Sequence, residues 1–141
     1  MRYVILVSHG EFAAGLYNAV SMLAGKGREG VKFQGLEDGM STDEFGEKFE
    51  TVIENITNED EIILFGDIIG GSPLTTAVNI LAGKELLSKT LVVGGMNLPT
   101  VLTTILMKDS MGKEELKKTL FETAGESIKE FKLIDTGEED I

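Results

Sequence analysis

The chain of 141 residues has no cysteine and no tryptophan, only two prolines, and a single histidine. Without cysteine it can hold no disulfide framework, no thiolate metal site and no cysteine nucleophile. That absence fits a cytoplasmic protein. No apolar run approaches the roughly 18 residues of a membrane span. The first residues run straight into a strand pattern, with nothing resembling a secretory signal. Positive charge is also scarce, with 13 basic against 24 acidic side chains and a net charge of −11. Nucleic acid and anionic membranes repel such a chain. Two nucleotide-binding signatures are missing as well. No GxxxxGK[ST] loop is present, and the first strand-helix turn lacks GxGxxG, which argues against P-loop and dinucleotide sites.

What is present describes an ordinary globule, 42% apolar and 26% charged, long enough for one domain with a core. The expected organisation is one domain over residues 1–135 and an acidic tail at 136–141. Much of the negative charge falls in residues 37–61, which carry ten acids and one lysine. The simplest reading of that block is a solvated helix face.

Strand and helix patterns alternate. Tyr3-Val4-Ile5-Leu6-Val7 reads as a strand buried on both faces. Phe12, Leu16, Val20 and Leu23 then mark a helix face from about Gly10 to Leu23. Residues 31–36 alternate as a strand. Ser41 and Glu44 have capping-box spacing ahead of a helix marked by Phe45, Phe49, Val52, Ile53 and Ile56. Residues 61–66 form a third strand, followed by a helix capped by Ser72, opened by Pro73 and stopped at Gly83. Residues 89–94 form a fourth strand, and a helix follows Pro99. Leu116, Leu120, Ala124 and Ile128 repeat every four residues in a last helix, with Phe131-Lys132-Leu133-Ile134 as a final strand candidate. This alternation predicts an α/β fold, doubly wound with a mostly parallel sheet. The strand order 2-1-3-4 would set the first and third strands side by side.

Under that order His9 and Asp67 end neighbouring strands at the carboxyl edge, where open α/β sheets place their sites. A carboxylate on one imidazole nitrogen fixes the other as the nucleophile. Asp67 would take that part for His9. Gly10, Gly70, Gly71 and Ser72 lie at helix starts, where backbone N–H groups favour a phosphoryl group. Asn97 and Pro99 end the next strand similarly and would line the site. No metal or cofactor is expected. A histidine nucleophile, an orienting carboxylate and a helix-end cradle suffice to carry a phosphoryl group.

Ser8-His9-Gly10, Gly66-Asp67 with Gly70-Gly71-Ser72-Pro73, and Gly95-Met96-Asn97-Leu98-Pro99 resemble the IIA component of the mannose-type sugar phosphotransferase system. The resemblance covers essentially the whole chain. It implies that His9 takes a phosphoryl group from the phosphocarrier HPr and passes it to a IIB protein, here a separate one. IIB would then serve sugar entering through membrane subunits. The resemblance further implies a homodimer whose final strand is exchanged and pairs antiparallel with the partner's sheet.

Rival readings remain at this point. The phosphotransfer subunit of dihydroxyacetone kinase usually carries a Gly-Ser-Ala-type loop where this chain has Gly-Gly-Ser-Pro. A histidine phosphatase or mutase usually has Arg before His-Gly and a second histidine, whereas Ser8 stands there and His9 is alone. A regulatory module that only binds phosphate is the non-enzymatic alternative.

Overall fold

The structure, a computed structural model, describes residues 1–133. Four strands form one sheet, all parallel, in the order β2-β1-β3-β4. They are β1 (Arg2–His9), β2 (Val31–Leu36), β3 (Glu61–Gly66) and β4 (Thr90–Val93). Helices α1 (Phe12–Ala24), α2 (Thr42–Val52), α3 (Ser72–Gly83), α4 (Leu98–Met107) and α5 (Lys113–Glu126) connect or follow them. The doubly wound order expected from the sequence is the one observed.

Successive strand residues point to opposite faces, and both faces are covered. Val4, Leu6, Ile63 and Phe65 pack with Leu16, Val20, Val101, Leu116 and Leu120 on the side of α1, α4 and α5. Ile5, Val7, Ile62 and Leu64 pack with Phe45, Phe49, Leu74 and Leu81 on the side of α2 and α3. This two-sided burial explains why β1 and β3 are apolar throughout. The capping box at α2 is formed: the Glu44 N–H donates to Ser41 Oγ, and the Ser41 N–H to Glu44 Oε1, both at 3.1 Å.

The structure departs from the sequence reading at several element ends. Phe12 and Leu23 were expected on the buried face of the first helix, but they are 49% and 62% exposed. The buried stripe runs through Ala13, Leu16 and Val20 instead. Gly71, not Ser72, precedes α3 as its cap residue, and Ser72 and Pro73 are its first two helical positions. Gly83 is the last residue of α3 rather than a left-handed stop; the positive φ falls on Glu85. Ile128 lies past the end of α5 and is exposed. Phe131 to Leu133 form no strand and are exposed. A strand needs a ladder partner, and among the described residues this segment pairs with none. Ile134 and the acidic tail at 136–141 lie outside the described residues.

Candidate active site

The site begins with a buried hydroxyl. Ser8 is fully buried at the end of β1. Its Oγ accepts from the Ala13 N–H at 2.7 Å and donates to the His9 carbonyl at 3.0 Å. Ser8 thus caps α1 from outside the helix, where Glu11 gives no side-chain cap, and pins the His9 backbone. The sequence reading passed over this role. The available signal was a hydroxyl residue ending an apolar strand five positions before a helical N–H.

The chain then turns sharply. Gly10 adopts φ +54°, and its N–H donates to the Leu36 carbonyl at 2.8 Å. The Gly10 carbonyl sits so close to Gly35 that a side chain there would collide with it. Gly10 was expected to offer its amide to a phosphoryl group. That amide is already committed to β2, so Gly10 serves the turn that presents His9.

The parallel register of β1 and β3 ends with Val7 opposite Gly66. His9 and Asp67 follow at the carboxyl edge and meet there. Asp67 Oδ2 accepts from the His9 backbone N–H at 2.9 Å and lies 2.8 Å from His9 Nδ1. Asp67 Oδ1 accepts from the Ile68 N–H at 2.9 Å. The histidine side chain is 48% exposed and the aspartate only 11%. Burial pushes the Asp67 carboxyl upward. The His9 N–H and imidazole, the charge on His9 and the Ile68 N–H together outweigh it and hold the carboxyl below its usual range. Asp67 is therefore an anion at neutral pH, and a proton on Nδ1 is favoured. That leaves Nε2 with the lone pair.

Gly71 packs against the ring. A Cβ on Gly71 would stand 2.9 Å from His9 Cε1, closer than side chains tolerate. Gly70 supplies the preceding left-handed turn at φ +85°. The Gly71 N–H makes only a long 3.3 Å turn bond to the Ile68 carbonyl. Ser72 is exposed at the first turn of α3. Ile68 and Ile69 are exposed beside Asp67, and Ile69 leans on Gly94 at the end of β4.

Asn97 begins the next helix, α4, as its cap residue. Its Oδ1 caps α4 by accepting from the Thr100 N–H, and its Nδ2 donates to Ser127 Oγ, both at 3.0 Å. The amide thus joins α4 to the end of α5. Pro99 is the exposed second residue of α4. The structure therefore brings together His9, Asp67 and the Gly70 to Ser72 turn, and gives Asn97 a capping role. Among the described residues no helix is long and apolar enough to cross a membrane.

Comparison with known proteins bears on this arrangement. Residues 3–121 match the family described as "PTS system fructose IIA component". The chain is 26% identical to the fructose-specific EIIA component of the phosphotransferase system of Bacillus subtilis, over 85% of this chain and 80% of that protein. It is also 26% identical to the mannose-specific EIIAB component of Escherichia coli, over 92% of this chain but only 39% of that longer protein. Among solved structures, the phosphotransferase system component EIIA from Streptococcus agalactiae has the same fold, with a TM-score of 0.80. That match, at 22% identity, covers 92% of this chain and 97% of the other.

Proposed function

The chain belongs to the mannose-type IIA family of the sugar phosphotransferase system, and from that premise we propose that it is a phosphohistidine carrier. His9 Nε2 attacks the phosphorus of phosphorylated HPr. The new N–P bond forms as the bond to the donor side chain breaks, and the donor keeps that electron pair. A second transfer, to a IIB protein, returns His9 to its free state and feeds sugar uptake through membrane subunits.

The observation that carries this reading is the 2.8 Å contact between Asp67 Oδ2 and His9 Nδ1. It favours a proton on Nδ1, leaves the exposed nitrogen nucleophilic, and sets an anion against the positive charge the ring gains when phosphorylated. Gly71 leaves room for the ring, and the Ser72 end of α3 offers N–H groups to the phosphoryl oxygens. The work belongs in the cytoplasm, where phosphorylated HPr is found. Incubation with phosphoenolpyruvate, enzyme I and HPr tests the reading. Acid-labile label on the chain supports it; steady release of phosphate would indicate a phosphatase instead; no label would overturn it.

The carrier is further proposed to act as a homodimer. β4 is an edge strand with Val92 exposed, and Phe121, Phe131 and Leu133 are exposed too. An exchanged final segment paired on the partner's edge would cover such surface cheaply. Mass measurement at micromolar concentration should give a dimer, weakened or lost on deleting residues 131–141. A monomeric mass for the full chain would end that proposal.

A further inference from the structure

At the end of the sheet opposite His9 there is a cleft of about 260 Å³ between the start of β4 and the first turn of α5. Its charged lining is Arg2, Glu61, Lys89, Lys113, Glu114 and Lys117. Arg2 and Glu61 neutralise each other at 2.8 Å. The guanidinium is also held by the Lys108 and Met111 carbonyls, at 2.6 and 2.8 Å. Of the charged lining, Lys89, Lys113, Lys117 and Glu114 remain.

None of these three lysines forms an ion pair among the described residues. In a chain of net charge −11, acids to pair with them are plentiful, yet three unpaired cations gather around one concavity. Lys113 and Lys117 stand four apart on α5, where like charges repel. The cap residue of α5, Gly112, adds no side-chain acceptor, and Glu114 and Glu115 in the first turn offset the helix-start charge, so the lysines supply the positive charge of the cleft. Ile63, Leu91 and Leu116 supply an apolar wall.

We propose that this cleft is a binding site for a small phosphate monoester, separate from the phosphotransfer site. Lysines bind phosphate as point charges. The charged lining carries a net charge of +2, which matches a phosphate dianion. The volume lies below the roughly 300–1,000 Å³ of drug-sized pockets, which fits a phosphate on a body of a few carbon atoms resting on the apolar wall. β1 runs for eight residues from Arg2 to His9, a span of about 23 Å at ~3.3 Å per residue. A ligand here cannot touch the His9 phosphoryl group. The site is thus one for sensing a phosphorylated metabolite rather than for accepting its phosphate.

The experiment is an NMR titration of the full chain with glycerol 3-phosphate, using glycerol and sodium chloride at matched ionic strength as controls. Saturable shifts are expected at the amides of residues 89–91 and 113–117, with neither control reproducing them. Lys113→Gln combined with Lys117→Gln should weaken binding at least tenfold, and Lys89→Gln alone by a smaller factor. Both variants should still accept label on His9, so failure here leaves the carrier reading standing. Equal shifts from sodium chloride, shifts confined to residues 71–72, or unchanged affinity in the double variant would overturn the proposal.

Discussion

β1 and β3 carry a cation–carboxylate pair at each end, and the two pairs are built for opposite purposes. At the amino end Arg2 reaches Glu61 through two nitrogens, at 2.8 and 2.9 Å, and ties down two backbone carbonyls. Beside it the terminal amine meets Asp60 at 2.9 Å. Arginine is permanently charged, and Arg2 is held by a carboxylate and two carbonyls, so this pair does no proton chemistry and braces the strand ends. At the carboxyl end His9 has one nitrogen on Asp67 and the other outward, and half its side chain is exposed. A neutral imidazole with one nitrogen on a carboxylate keeps a lone pair on the other, so this end can do chemistry. The same strand pairing serves as a clamp or a reactive pair according to whether the cationic side chain has a lone pair left over.

Breaking the reactive pair should give the largest effect. His9→Ala removes the only imidazole in the chain. It should fold normally and take no acid-labile label from phosphorylated HPr. Label at the wild-type level would end the carrier reading. Asp67→Ala comes next, with transfer slowed about tenfold to several-hundredfold, as for other oriented acid–base pairs, and an unchanged fold. NMR of the imidazole nitrogens in the phosphorylated protein should place phosphorus on Nε2. Phosphorus on Nδ1 would contradict the 2.8 Å contact as the orienting one.

Breaking the clamp should invert the pattern. Arg2→Ala strands the Lys108 and Met111 carbonyls and leaves Glu61 without its partner. Charge-assisted hydrogen bonds of this kind are worth roughly 1.5–3 kcal/mol, so urea unfolding should show a loss of about 2–3 kcal/mol. Labelling of His9 in the folded variant should stay within about twofold of wild type. Intact stability combined with slow labelling would show that the two ends are not separable in this way.

The clamp was the harder end to read from sequence. The apolar runs of β1 and β3 and the alternation of elements made the sheet order legible, and with it the meeting of His9 and Asp67. Arg2 bonds to residues more than a hundred positions away, and no local spacing announces that. The glycines were legible as turns but not in their separate tasks. Gly10 gives its N–H to β2, while Gly71 yields space to a ring, and both depend on what lies across the edge. The capping role of Asn97 is hidden from local spacing for a related reason. Its amide is engaged by Thr100 and by Ser127, and the second partner is thirty residues on. Periodicity also ran past true helix ends at Ile128, because a four-residue repeat continues in sequence after the packing that rewards it has stopped.

The smallest effect expected is on stability in acid, and its sign follows from Asp67. Burial opposes ionisation of this carboxyl, but the His9 and Ile68 hydrogen bonds and the His9 charge lower its folded value beneath the ordinary 3.8. A carboxyl lowered on folding stabilises the native state above its unfolded value. That contribution disappears as pH falls through the folded value. Asp67→Asn should therefore cost stability near neutral pH and cost less of it in acid. The gap to wild type should close only below pH 3.8, as the native carboxyl itself takes up a proton. Chemical denaturation of both proteins between about pH 2 and 7 measures the gap directly. A gap that widened on acidification would mean that Asp67 is held protonated in the fold. In that case the orientation of His9 would need another source.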